Sequence, residues 1–327
     1  MARVDRRGFL ALLAGFAAPH AARAQESGAR WQFGYPIAWP EHVIADGFVN
    51  LHGYACENIP WFPGLWHTGE NWHADQGETA GALVLAVADG EVVYSGSDYP
   101  GLVVIVQHAD DLFSMYGHLG YEPRVAVGDR VQRGDLVGTV LQRTDGRLSH
   151  LHFELRTFLM TAEVNGDTPR HQFNCGFQCP PGPGYWPMSD PDHPSVMGWR
   201  NPTSAIAGRA FGGEPVAEDA EIVVSQAAGE RASVWSAPKQ RDGARRIGEL
   251  ATTPDDRHRL LEIDSGDPAS KATSAEGYHL WYRIALPGGG DGWVQAALPS
   301  KRETGSDGRP ATVRYRFLPY VVEGRRS

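Results

Sequence analysis

No lysine precedes Lys239. The stretch Val127-Gly128-Asp129-Arg130-Val131-Gln132-Arg133-Gly134-Asp135 has the strand-and-turn rhythm of a biotinyl or lipoyl carrier, but such a carrier needs a modifiable hairpin lysine, so that chemistry is excluded. Three cysteines among 327 residues, without Cys-x-x-Cys spacing, exclude a zinc ribbon. In an oxidising compartment they allow one disulfide: Cys175 and Cys179 are the closest pair, and Cys56 with either stays open. Gly-x-Ser-x-Gly is absent and the cysteines sit in loop-like contexts, so no local motif builds a serine or cysteine hydrolase triad. Positive charge is in deficit, with 30 Lys and Arg against 39 Asp and Glu and a net −9, which speaks against nucleic acid as a partner. Beyond residue 24 no apolar run is long enough to span a bilayer.

The chain nevertheless has ten tryptophans and a 42% hydrophobic fraction, enough for a buried core in one large or two moderate domains. Arg3, Arg6 and Arg7 precede an apolar run from Gly8 to Ala18, and Ala22-Arg23-Ala24 offers a small-x-small cleavage site. Residues 1–24 therefore read as a signal peptide. Arg6-Arg7-Gly8-Phe9-Leu10 resembles a twin-arginine core, although Asp5 and Ala11 replace frequent residues of that signal. Export in a folded state, to the periplasm or medium, is expected, with the general secretory route as the alternative.

Residues 25–66 are rich in aromatics and proline, fit for packing and for part of a groove rim. From Leu83 to Leu155 short β-branched runs alternate with glycine turns, including an Asp89-Gly90 hairpin signal between Leu83–Val87 and Glu91–Tyr94. An all-β core of six or more strands is expected. Residues 157–200, with seven prolines, read as a loop insertion near the site or a disulfide-held surface excursion. Residues 207–219 read as a linker. Residues 220–300 are again β-rich, and Ser233-Val234-Trp235-Ser236-Ala237-Pro238, Trp281-Tyr282-Arg283-Ile284 and Gly292-Trp293-Val294-Gln295-Ala296 resemble a bacterial SH3-like barrel. Residues 301–327 hold seven basic and three acidic residues and read as a solvated tail.

Three histidine blocks carry the chemistry. His150 and His152 lie two apart in Ser149-His150-Leu151-His152-Phe153-Glu154-Leu155-Arg156, so on a strand they share one face. Imidazole serves as metal ligand and as general acid or base, and such a pair can supply one of each. Upstream lie His67-Thr68-Gly69-Glu70-Asn71-Trp72-His73 and Met115-Tyr116-Gly117-His118-Leu119. A hydrolytic zinc site needs three protein ligands and one open position.

In order and spacing these blocks resemble the lysostaphin-type, or LytM-domain, zinc endopeptidases of peptidoglycan over roughly residues 67–156. The resemblance implies a LytM-type antiparallel β core within residues 67–206, Zn2+ held by His67 and His152, and His118 and His150 as catalytic residues. The substrate would be a peptide bond in the wall's stem or cross-bridge. Asn71 stands where the family has its aspartate ligand, so the amide carbonyl would have to serve without the carboxylate's charge. His73 and Asp75 share its strand parity and are replacement ligands to consider. The alternative is a catalytically degenerate protein that binds wall or regulates another hydrolase.

Overall fold

The computed structural model describes residues 32–58, 61–108, 111–172, 178–209, 216–272, 277–301 and 311–320. The signal segment and Cys175 lie outside the described residues. Antiparallel strands dominate, as the alternating β-branched runs require; the helices described are Pro194–Met197, Pro202–Arg209 and the 3-10 turn Gln226–Ala228. Among the described residues no helix is long and apolar enough to cross a membrane.

A ten-stranded sheet carries the histidines. Its path runs Arg130–Val131, Gly90–Tyr99, Gly101–Gln107, Phe113–Leu119, Leu151–Arg156, Glu70–Ala74, Phe48–His52, Ala311–Tyr315 and Ala297–Lys301, with Trp199–Arg200 beside Leu151–Arg156. Phe113–Leu119 and Glu70–Ala74 thus flank the His-x-His strand, which brings three sequence-distant blocks onto adjacent strands. A seven-stranded sheet holds Arg246–Ala251, Arg231–Trp235, Asp291–Gln295, Trp281–Ala285, Arg257–Asp264, Glu221–Val224 and Phe317–Pro319. Two three-stranded sheets complete the fold, one of them pairing Tyr185–Pro187 with Phe62–His67.

Three observations depart from the sequence reading. Leu83–Leu85 and Gly90–Tyr99 do not form the hairpin signalled by Asp89-Gly90. Leu83–Leu85 pairs with Ile37–Ala38 and Leu136–Thr139, whereas Gly90–Tyr99 pairs with Gly101–Gln107 and Arg130–Val131. The chain passes between sheets there, its Ala86 and Val87 carbonyls accepting from Gly134 and Gly34. Gly90 serves close approach instead: a Cβ would lie 2.4 Å from the Gln107 carbonyl oxygen. Second, residues 311–320, read as tail, form the buried strands Ala311–Tyr315 and Phe317–Pro319. Alternation in Ala311-Thr312-Val313-Arg314-Tyr315 buries Val313 and Tyr315, and this strand pairs with Phe48–His52. Third, Pro202–Arg209 runs as a helix into the stretch read as linker, with Ile206 and Ala207 in the core.

One contiguous hydrophobic cluster joins the two large sheets, with Trp72, Phe153 and Tyr116 beside Tyr278, Tyr282 and Tyr315. Residues 220–300 therefore share a core with the sheet that bears the histidines.

Candidate active site

The register of the central sheet sets the site. Asn71 lies directly opposite His152, and His52 on the next strand lies opposite Asn71. Directly opposed residues point to one face, so these three side chains form a row across the sheet. His67, at the end of Phe62–His67, leans over the row: its ring stacks on His52 with centroids 3.9 Å apart and meets His152 at 5.0 Å.

Each inner imidazole has one nitrogen fixed by an oxygen. The Gly53 carbonyl accepts from His67 Nδ1 at 3.1 Å, and Glu154 Oε1 accepts from His152 Nε2 at 3.0 Å. These partners assign the tautomers, leaving lone pairs on His67 Nε2 and His152 Nδ1. The two lone-pair atoms face each other at 3.1 Å, and Asn71 Oδ1 lies 3.0 Å from His152 Nδ1. Three acceptors thus converge, an arrangement that a cation relieves. Ligands on a tetrahedral zinc, at 2.0–2.1 Å from it, stand about 3.3–3.4 Å apart, so the set is slightly contracted but of the right kind. Among the described residues no group of three His, Cys, Asp or Glu that could hold a metal is found, and one of the three donors converging here is an amide.

Glu154 received no role from the sequence, yet it organises this corner. Fully buried, it accepts from Thr68 Oγ1 at 2.6 Å and Trp199 Nε1 at 2.9 Å, with Arg156 Nη1 at 3.6 Å. Burial would raise its pKa, but His152, Arg156 and Thr68 together hold it below the ordinary carboxylate range. A carboxylate behind a ligating imidazole fixes ring orientation and raises basicity. Its signal was its parity: residues 150, 152 and 154 alternate onto one strand face.

The outer pair lies beside this row. His118 and His150 are half-buried, their rings 4.8 Å apart and nearly perpendicular. His118 Nδ1 donates to the Pro100 carbonyl at 3.0 Å and His150 Nδ1 to that of Leu148 at 2.9 Å, which leaves Nε2 as the basic nitrogen in each. His118 has φ +62°, a left-handed conformation uncommon for a non-glycine residue, at an irregularity in the pairing with Gly101–Gln107. The bulge re-aims its ring toward His150. Burial, opposed by the Pro100 carbonyl, lowers the His118 pKa to about 3; burial, then His118, pushes His150 well below its usual value. Burial and then His52 and His152 do the same to His67. These three imidazoles are therefore neutral at pH 7.

His73 stacks on His150 at 4.9 Å, and Asp75 pairs with Arg314, so neither is seen among the converging donors. Residues 178–200 reach the site. The Arg156 guanidinium donates to the Pro180 and Pro181 carbonyls, and Tyr185 packs 5.2 Å from His67 and stacks on Phe62 at 4.2 Å. His52 and Tyr185 gave no local sequence signal, since the strand order alone brings them to His67. Nearby, Cys56 keeps its thiol, which donates to the Tyr54 carbonyl, while Cys179 is disulfide-bonded; the pairings that involve Cys56 are thereby excluded.

Comparison with known proteins meets the same residues. Residues 66–167 match the model of peptidase family M23. Over 78 residues the chain is 38% identical to the cell division protein DipM of Caulobacter vibrioides, covering 23% of this chain and 13% of DipM's length. Among solved structures, lysostaphin from Staphylococcus simulans is similar at 14% identity, with 81% of this chain and 95% of that chain covered and a TM-score of 0.30. A zinc-containing peptidase from Vibrio cholerae is similar at 25% identity, covering 38% of this chain and 37% of that one, with a TM-score of 0.29. The converging donors and the outer histidine pair all lie within residues 66–167, the stretch that matches this family.

Proposed function

We propose that this domain is a zinc endopeptidase that hydrolyses peptide bonds in peptidoglycan stem peptides or cross-links, in a chain exported by its first 24 residues. The carrying observation is the convergence of three lone-pair donors, His67 Nε2, Asn71 Oδ1 and His152 Nδ1, beside two neutral imidazoles. When bound, zinc supplies Lewis-acid polarisation and a lowered pKa for water. His67, Asn71 and His152 would hold it. The Gly53 carbonyl and Glu154 keep the two imidazoles in the ligating tautomer. His118 and His150, neutral and half-buried, take a proton from the attacking water and return it to the departing amine. Tyr185 and Phe62 wall the substrate side next to His67. Residues 220–300 act as an SH3-like unit alongside.

Asn71 favours a second reading, a degenerate domain that binds wall or regulates another hydrolase. A half-turn of its amide would place an N–H on His152 Nδ1 and close the site without a cation, an option that aspartate lacks. Clearing of purified sacculi separates the two. Turbidity should fall with the zinc-loaded protein, stop with chelator and resume when zinc is restored. Zinc-loaded protein that never clears sacculi, and releases no peptide ends, would sink the enzyme reading.

A further inference from the structure

The second β unit reaches under the site at one hydroxyl. Tyr278 OH donates to Glu70 Oε1 at 3.0 Å and accepts from the Tyr54 backbone N–H at 2.8 Å and Asn50 Nδ2 at 3.2 Å. Glu70 directly precedes Asn71. Tyr54 directly follows Gly53, whose carbonyl fixes the His67 tautomer. A Cβ on Gly53 would lie 2.7 Å from Tyr278 OH, so the phenol sits hard against that turn. One side chain from the C-terminal half therefore touches both segments that set two of the three converging donors.

Glu70 is clamped further. It is fully buried and accepts from Thr203 Oγ1 at 2.6 Å and Trp72 Nε1 at 3.2 Å. Since Thr203 gives its hydroxyl proton to Glu70, Tyr315 OH donates to Thr203 Oγ1 at 2.6 Å. Burial holds the Tyr278 phenol well above its usual pKa, so it keeps the proton it donates. Strand alternation puts Glu70 and Trp72 on the core side and Asn71 on the site side of one strand. Fixing Glu70 from below fixes the backbone that aims Asn71 above.

We propose that Tyr278, with Thr203 and Tyr315, is a positioning residue for the site, and that the C-terminal β unit buttresses His67 and Asn71 rather than hanging on as a separable wall-binding module. Its affinity readout rests on the zinc reading; its spectroscopic readout does not. In metal-free, 15N-labelled full chain, Tyr278→Phe should move the imidazole 15N resonances of His67 and His152 and leave those of His42 and His171 in place. Zinc affinity, from competition with a chromogenic chelator, should fall about 10- to 100-fold. Thr203→Val should act likewise, whereas Thr203→Ser, which retains the hydroxyl, should restore wild-type spectra and affinity; this pair carries the test if Tyr278→Phe does not fold. A merely structural role would lower the melting temperature and leave the folded protein's spectra and affinity unchanged. Folded Tyr278→Phe or Thr203→Val with wild-type His67 and His152 resonances would overturn the proposal. Wild-type protein without zinc affinity would remove the zinc reading alone, with the resonances still deciding this one.

Discussion

The inner and outer histidine pairs occupy adjoining ground yet differ in burial and in what their second nitrogens face. His67 and His152 are buried, at 0% and 5% exposure, and their lone pairs face each other and Asn71. His118 and His150 are half-buried and anchored through Nδ1 to backbone carbonyls. Buried facing lone pairs suit a cation; half-buried bases suit proton traffic. His67 shares the outer pair's anchor from Nδ1 to a backbone carbonyl, so the contrast lies in burial and in what the other nitrogen faces.

That contrast can be broken from the inside. His152→Ala removes an inner donor, so zinc retention and sacculus clearing should both vanish; metal content and turbidity report this. His118→Ala should retain zinc and lose about 10²- to 10⁴-fold in rate, the usual contribution of a positioned acid or base. A His118→Ala protein that clears as fast as wild type would remove the outer pair from the chemistry. Glu154→Gln leaves a buried amide behind His152, and zinc affinity should drop about 10- to 100-fold by chelator competition. Asn71→Asp should sharpen the inner pair by adding a charge, raising zinc affinity about tenfold, or about 1.4 kcal/mol. The smallest effect is expected for Tyr185→Ala, which removes a wall beside His67: KM should rise severalfold, about 1 kcal/mol of substrate contact, with kcat little changed.

Strand parity made part of this site legible in the sequence, while the assignment of inner and outer roles came only from the family resemblance. His150, Leu151 and His152 alternate in any register, so the shared face followed from spacing alone, and Glu154 continues it. The β-branched runs around Val103 and Ile105 likewise announced strands that the sheet contains. What spacing could not show is which strands become neighbours. His52 reaches His67 because Phe48–His52 pairs with Glu70–Ala74, a contact set by sheet order. Tyr278 reaches Glu70 across 208 residues, through a core that joins both large sheets. Asp89-Gly90 misled for the same reason. A turn-prone dipeptide marks where the chain can bend, whereas nonlocal pairing of Leu83–Leu85 with Leu136–Thr139 decided which partner it met. The tail was misread through composition: its basic residues outweighed the alternation of Val313 and Tyr315, which lie buried in the strand next to the sheet's edge.

The central claim is that His67, Asn71 and His152 together hold one zinc ion. Its most direct test is the zinc content of the purified wild-type chain after equilibrium dialysis, set beside His67→Ala and Asn71→Asp. One equivalent in wild type and Asn71→Asp, with none in His67→Ala, is the expected result; zinc in Asn71→Asp alone would contradict it and mark Asn71 as the residue that closed the site.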